Sequence, residues 1–375
     1  MIKSTPLMGW NSWNTFGTDI NEQLIRDTAD KMVETGLLNA GYEYLVIDDC
    51  WSLKERDENG RLAADPEKFP NGMKAVADYV HSKGLKFGMY SCAGNLTCTG
   101  YPGSFEHEFT DAETFADWGV DFLKYDYCYH SNIIHGKYLY RRMGTALKNC
   151  GRDILFSACS WGADNTAEWM RETGADMWRS TGDIVDSWAS IKSLTEEQES
   201  IFAYGGKGCF NDMDMLVVGM YGKGNVGLEG LNDTQYKTHF SIWALLGSPL
   251  MIGCDIRNMN DETLKILTNR ELIKINQDEA CRQIFKLTNI WDGNVKAYAK
   301  NLENGDIALG FFNFGSAAAI VRVNLDELGL PESTGKTLCM RNVWEDETVT
   351  VKNGTIIHDI QPFDCLVYRC KVVNK

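Results

Sequence analysis

The sequence has no apolar stretch of about 18 residues and no signal-peptide-length apolar core near Met1-Ile2-Lys3-Ser4-Thr5-Pro6-Leu7-Met8-Gly9-Trp10, so neither a membrane span nor an export signal is expected. It also lacks an excess of basic charge: 37 Lys and Arg stand against 52 Asp and Glu, a formal charge of −15. Nucleic-acid and anionic-membrane surfaces need clustered Lys and Arg, so that balance argues against both and suits a neutral ligand. Paired CxxC spacing is missing, and the 12 cysteines are too scattered for a small disulfide scaffold. Most of them read as reduced core residues. The six histidines show no HExxH or other ligand spacing, so no metal and no cofactor is expected.

What is present is the composition of a globular protein, 44% hydrophobic and 24% charged. At 375 residues the chain exceeds the size at which single cores stop growing, which predicts a large domain with a smaller one or two comparable ones. Residues 21–36 read as an amphipathic helix capped by Asn21 and stopped at Gly36, with Leu24, Ile25, Thr28, Ala29, Met32 and Val33 at helical spacing. Short apolar runs ending in polar or small residues then recur at 8–13, 44–48, 86–91, 122–126, 154–159, 177–180, 209–212 and 250–253. Eight such units, joined by helix-like sequence, are the pattern of a (β/α)8 TIM barrel over residues 1–283. Periodicity does not count closure, so an open doubly wound sheet fits as well. From about Cys281 the grammar changes to alternating strands at 295–302, 306–314, 320–325, 337–343, 348–352 and 365–370. Asp292-Gly293, Asn304-Gly305 and Asn353-Gly354 are hairpin signals among them, giving a C-terminal antiparallel β-sandwich over 284–375 with no chemistry assigned. Gly222-Lys223-Gly224-Asn225-Val226-Gly227 fits GxGxxG, but no helix opens after it; it reads as a mobile Gly-rich loop near the active-site face.

Two stretches carry chemistry. Lys124-Tyr125-Asp126-Tyr127-Cys128 and Arg179-Ser180-Thr181-Gly182-Asp183 each place a carboxylate at a strand end within four residues of a basic side chain. Two carboxylates that meet in space while their pKa values stay apart are what glycoside hydrolysis needs. Taken singly, each also reads as an ordinary strand-end salt bridge or a helix cap.

With Met8-Gly9-Trp10-Asn11-Ser12-Trp13, Ile47-Asp48-Asp49-Cys50-Trp51, Gly100-Tyr101-Pro102-Gly103-Ser104, Trp178-Arg179-Ser180-Thr181-Gly182-Asp183-Ile184 and Asn211-Asp212-Met213-Asp214-Met215-Leu216 in the same order, the chain resembles glycoside hydrolase family 27, the α-galactosidases and α-N-acetylgalactosaminidases. The resemblance implies a barrel followed by a β-sandwich and a retaining mechanism without a metal. It makes Asp126 the nucleophile, expected to be held ionised by Lys124, and Asp183 the acid/base, expected to have a raised pKa. It implies sugar contacts from Asp48, Asp49, Lys124, Arg179, Asp214 and Met215, and an aromatic wall of Trp13, Trp51 and Tyr90. It also places Cys98 and Cys128 close together where the family has a bridge beside the nucleophile loop, oxidised or reduced.

The specificity loop is Ala158-Cys159-Ser160-Trp161-Gly162-Ala163-Asp164. Galactose-preferring members of the family usually carry a Glu where Ser160 stands and a larger residue where Ala163 stands. Two small residues resemble the α-N-acetylgalactosaminidases, which need room for an N-acetyl group; an α-galactosidase that grips the 2-hydroxyl in another way is the alternative. Other activities of the family, such as β-arabinopyranosidase or isomaltodextranase, and a non-catalytic sugar-binding protein stand further off. The expected partner is therefore a small glycoside, oligosaccharide or glycoconjugate, with a homo-oligomer possible on general grounds. Cys50 and Cys159 lack the bridge partners the family gives them, which fits a cytoplasmic, bacterial-type enzyme.

Overall fold

The computed structural model describes residues 5–288, 290 and 292–375. Residues 1–4, where the reading for an export signal begins, lie outside the described residues.

All eight anticipated strands form: β1 Met8–Asn11, β2 Tyr44–Val46, β3 Lys86–Cys92, β4 Phe122–Asp126, β5 Leu155–Ala158, β6 Met177–Arg179, β7 Phe210–Asp212 and β8 Leu250–Ile252. They lie parallel in the order β7-β6-β5-β4-β3-β2-β1-β8. Their residues are almost all buried, as expected of parallel strands covered on both faces, and this is why they read as apolar runs. β7 and β8 share no ladder. The barrel closes through Leu216, four residues past β7, whose N–H donates to Met251 O at 2.7 Å while Gly253 N–H donates to Leu216 O at 3.0 Å.

The first helix, Glu22–Glu34, behaves as its spacing predicts. Asn21 accepts from Leu24 N at 2.9 Å, and Leu24, Ile25, Thr28, Ala29 and Met32 are buried. Gly36, at φ 80°, takes the left-handed conformation that ends it. One expected crossover helix is missing. Between β5 and β6 the chain makes two 3-10 turns, Ala163–Glu168 and Met170–Thr173, with Asp164 and Asn165 both left-handed at φ 55°. Asp164 holds this irregular stretch: its carboxylate accepts from Tyr127 OH at 2.5 Å and its carbonyl from Trp169 Nε1 at 2.7 Å.

The tail contains β9 Phe285–Lys286, β10 Val295–Asn301, β11 Ile307–Asn313, β12 Ala319–Asn324, β13 Lys336–Asn342, β14 Thr348–Thr350, β15 Thr355–Ile360 and β16 Cys365–Asn374. A six-stranded antiparallel sheet, β14-β13-β16-β11-β10-β9, faces the pair β12-β15 across a core that includes Leu309, Phe311, Val321, Val323, Leu338 and Ile356. β9 and β15 were not anticipated. Asn353-Gly354 does turn the chain, both residues left-handed, but it joins strands of different sheets rather than a hairpin.

The helix Asp233–Leu246 lies where the tail meets the barrel and is buried on nearly every side from Tyr236 to Leu246. Tail residues Tyr298, Phe312 and Val367 belong to the same apolar core as the barrel. Thr238 Oγ1 donates to Phe363 O at 2.8 Å, and Trp344 Nε1 donates to Ser241 Oγ at 3.1 Å. Glu199 adds a polar clasp by accepting from Tyr298 OH at 2.5 Å, Lys286 Nζ at 2.7 Å and Lys296 Nζ at 3.0 Å. Among the described residues no helix is long and apolar enough to cross a membrane.

Candidate active site

Asp126 is the last residue of β4, so its side chain stands at the C-terminal rim of the barrel, where chemistry concentrates in this architecture. It is buried, 5% exposed. Its Oδ1 accepts from Tyr127 N at 2.9 Å and its Oδ2 from Tyr90 OH at 3.1 Å. Tyr90, from β3, is also fully buried, and its hydroxyl lies 3.3 Å from Cys98 Sγ. Cys98 and Cys128 form a disulfide, so the two loops flanking Asp126 are tied together as the resemblance implied.

The ammonium of Lys124 pairs with Asp48 Oδ2 at 2.8 Å, and the same oxygen accepts from Asn11 Nδ2 at 2.8 Å. The lysine lies 5.3 Å from the centre of the Tyr90 ring. β2 stops at Val46, so Asp48 and Asp49 stand on a loop, as two carboxylates serving one site require. Asp49 is occupied by the protein itself: Oδ2 accepts from Thr99 Oγ1 at 2.7 Å and Thr99 N at 3.1 Å, and Oδ1 from Cys50 N at 2.7 Å.

Arg179 ends β6 and organises the other half. It reaches Asp183 Oδ1 with Nη2 at 2.9 Å and Asp214 Oδ1 with Nη1 at 3.0 Å. Asp214 is left-handed at φ 77° and accepts from Ile184 N at 2.8 Å, which fastens the loop after β7 to the loop bearing Asp183. Asp212 caps the same turn by accepting from Asp214 N at 3.0 Å. Beneath them a cavity of about 30 Å³, room for a water, is lined by Asn11, Lys124, Ser157, Arg179, Asp212 and Asp214 among others.

The electrostatics reverse the order expected from sequence. Burial pushes the Asp126 carboxyl up to about 6 despite the attraction of Lys124, whose direct partner is Asp48. Asp183 is lowered: its partial desolvation is outweighed by the Arg179 guanidinium, and its side chain remains 73% exposed. Asp212 is buried and raised to about 6, and Asp214 is raised by the same cause, both against the pull of Arg179.

Other expected positions have settings of their own. Trp51 packs into the helical layer, edge-on to Phe115 and Trp118 with ring centres 6.5 and 5.6 Å away, and its indole donates to Tyr90 O at 2.9 Å. It supports Tyr90 rather than presenting a face to a ligand. Trp13 is partly exposed at the rim, its N–H donating to Asn11 Oδ1 at 2.8 Å. Ser160 is fully buried, and its hydroxyl is engaged with Thr166 Oγ1 at 2.7 Å, which in turn donates to Ala163 O. The Gly-rich loop is anchored rather than mobile: Val226 N donates to Asn14 O at 3.0 Å and Gly222 N to Asp186 Oδ2 at 2.7 Å. Cys50 and Cys159 are free and buried. Asn11 and Asp212 were not singled out in advance, although both stand inside quoted motifs; Asn11 binds the Asp48 carboxylate and Asp212 the Asp214 amide, contacts that sequence spacing does not display.

A family model described as alpha galactosidase A matches residues 5–278, and one for the alpha galactosidase C-terminal beta sandwich domain matches 292–370. The chain belongs to the α-galactosidase (melibiase) family. This glycoside hydrolase family includes the α-galactosidase of Cyamopsis tetragonoloba, 44% identical over 368 residues that cover 98% of this chain and 86% of that protein. Among solved structures, α-galactosidase I of Mortierella vinacea superposes with a TM-score of 0.91 at 33% identity, covering 98% and 97% of the two chains. The Saccharomyces cerevisiae α-galactosidase with raffinose does so at 0.87 and 30%, covering 99% and 98%. The barrel and sandwich described above are thus the family's two domains.

Proposed function

We propose that this protein is a retaining exo-α-galactosidase, with Asp126 as nucleophile and Asp183 as acid/base. The observation that carries the reading is the asymmetry of the two carboxylates: Asp126 is buried and fixed by Tyr90 and Tyr127, whereas Asp183 faces solvent on the leash of Arg179. A nucleophile must be rigid and dry; a proton carrier must reach both the leaving oxygen and the incoming water. In the first step an Asp126 oxygen attacks the anomeric carbon while Asp183 gives its proton to the departing oxygen. In the second, Asp183 takes a proton from water, which displaces Asp126 with the original anomeric configuration restored. Bound glycoside covers Asp183, which favours its protonated form over the ionised form that Arg179 holds in the open site.

Relatives called α-galactosidases support plain galactose ahead of the N-acetylgalactosamine preferred on sequence grounds. The second reading keeps one observation in its favour, the small side chains of Ser160 and Ala163. Comparing kcat/KM on aryl α-galactoside and aryl α-N-acetylgalactosaminide separates the two: the galactoside is expected to be the better substrate, and the reverse result overturns that choice. Following the sugar product by NMR during early turnover tests retention, since the β anomer appearing first is incompatible with it.

A further inference from the structure

The Sγ atoms of Cys98 and Cys128 and a carboxylate oxygen of Asp126 all lie within 4.8 Å of one another. Metal–sulfur distances are about 2.3 Å and metal–oxygen distances about 2.0–2.2 Å, so once the bond is broken the two sulfurs must part to share a tetrahedral ion, with the carboxylate already beside them. We infer that reducing the Cys98–Cys128 disulfide turns this wall of the active site into a site for a thiophilic divalent cation of the zinc class. Cys98 Sγ, Cys128 Sγ and one Asp126 oxygen bind it, and the fourth position opens toward the glycoside pocket.

The backbone keeps the donors in place without the covalent bond. Ala93 N donates to Asp126 O at 2.9 Å, and Cys92 Sγ to Cys128 O at 3.1 Å. At Gly94 the two loops touch so closely that an added Cβ would sit 2.1 Å from Cys128 O. Two thiolates with one carboxylate select a borderline-soft ion over calcium or magnesium. The chemistry balances: a dithiol reductant supplies two electrons and two protons, becoming a disulfide itself while Cys98 and Cys128 become thiols. Metal binding then expels those two protons to solvent. Because the ion takes an oxygen of Asp126, metal-loaded enzyme cannot form the glycosyl bond.

The site itself does not depend on the proposed reaction, so binding is measured first and without substrate. Oxidised and reduced protein are freed of reductant and titrated with zinc against a chromophoric chelator, beside a Cys98→Ser/Cys128→Ser variant that controls for the ten other cysteines. The reduced wild type is expected to hold one zinc more than either the oxidised protein or the variant. Equal stoichiometry in the reduced wild type and the variant, or in its oxidised and reduced forms, overturns the proposal. In the second arm zinc should silence aryl α-galactoside hydrolysis by reduced enzyme only, with recovery on adding chelator; a loaded site with undiminished turnover would remove Asp126 from the ligand set.

Discussion

Arg179 grips two carboxylates at once, Asp183 at 2.9 Å and Asp214 at 3.0 Å, while being almost wholly buried. One side chain therefore sets the charge of a solvent-facing acid and neutralises an interior one. The two tasks separate on mutation.

Arg179→Met leaves Asp214 buried without its ion-pair partner. Loss of one partner from a buried ion pair costs about 3–5 kcal/mol, so denaturant unfolding should show a drop of that order. Asp183, freed from the guanidinium, should titrate at higher pH; because it starts below Asp126, the shift should appear as an upward move of the acid limb of kcat/KM. An unshifted acid limb would mean that Asp183 is not the acid.

Asp126→Asn should abolish turnover and yet stabilise the fold at alkaline pH. The carboxyl has a folded pKa of about 6 against an ordinary 3.8, so the fold favours its protonated form. That contribution is fully present below pH about 4 and lost as pH rises through about 6. At about 1.4 kcal/mol per unit, the uncharged variant should be more stable than wild type by up to about 3 kcal/mol at pH 8, with the gap closing near pH 4. Thermal unfolding across that range checks it. In wild type kcat, where bound glycoside keeps Asp183 protonated, should fall as pH drops below about 6.

Ser160→Ala tests whether Ser160 touches substrate. Its hydroxyl is committed to Thr166 in a buried contact, so removal should cost about 1 kcal/mol of stability. The ratio of kcat/KM between galactoside and N-acetylgalactosaminide should stay unchanged. A changed ratio would place the hydroxyl at the sugar.

Gly310→Ala probes the seat of the tail on the barrel. An added Cβ on β11 would lie 2.6 Å from Leu245 Cδ2 and 2.7 Å from the Phe312 ring. Overpacking of this kind costs about 1–3 kcal/mol. A lowered Tm with unaltered KM is expected.

The eight barrel strands were legible because strands buried on both faces carry runs such as Tyr44–Val46 and Phe122–Asp126, and their order follows from chain order. β15, Thr355–Ile360, was not: half its residues face outward and its sequence mixes polar and apolar groups. The positions of Asp126 and Asp183 came from motifs, but their charge states depend on contacts that spacing conceals. Lys124 stands two residues before Asp126, which suggested that it serves that carboxylate; in three dimensions its direct partner is Asp48, 76 residues earlier. Trp51 misled for a related reason, since adjacency to Asp48 and Asp49 says nothing about which side of the rim an indole takes.

The gap between β7 and β8 has a consequence for how the site can vary. Between Asp212 and Leu216, where pairing with β8 begins, side chains receive the backbone: Ser248 Oγ accepts from Met213 N at 3.0 Å and Asp212 Oδ1 from Asp214 N at 3.0 Å. A strand partner offers the same backbone groups whatever its residue type, whereas a side-chain partner vanishes with one codon. Here replacing Ser248, whose hydroxyl holds the amide between Asp212 and Asp214, would loosen the turn that aims Asp214 at Arg179, so drift in this wall reshapes the candidate site before it weakens the barrel.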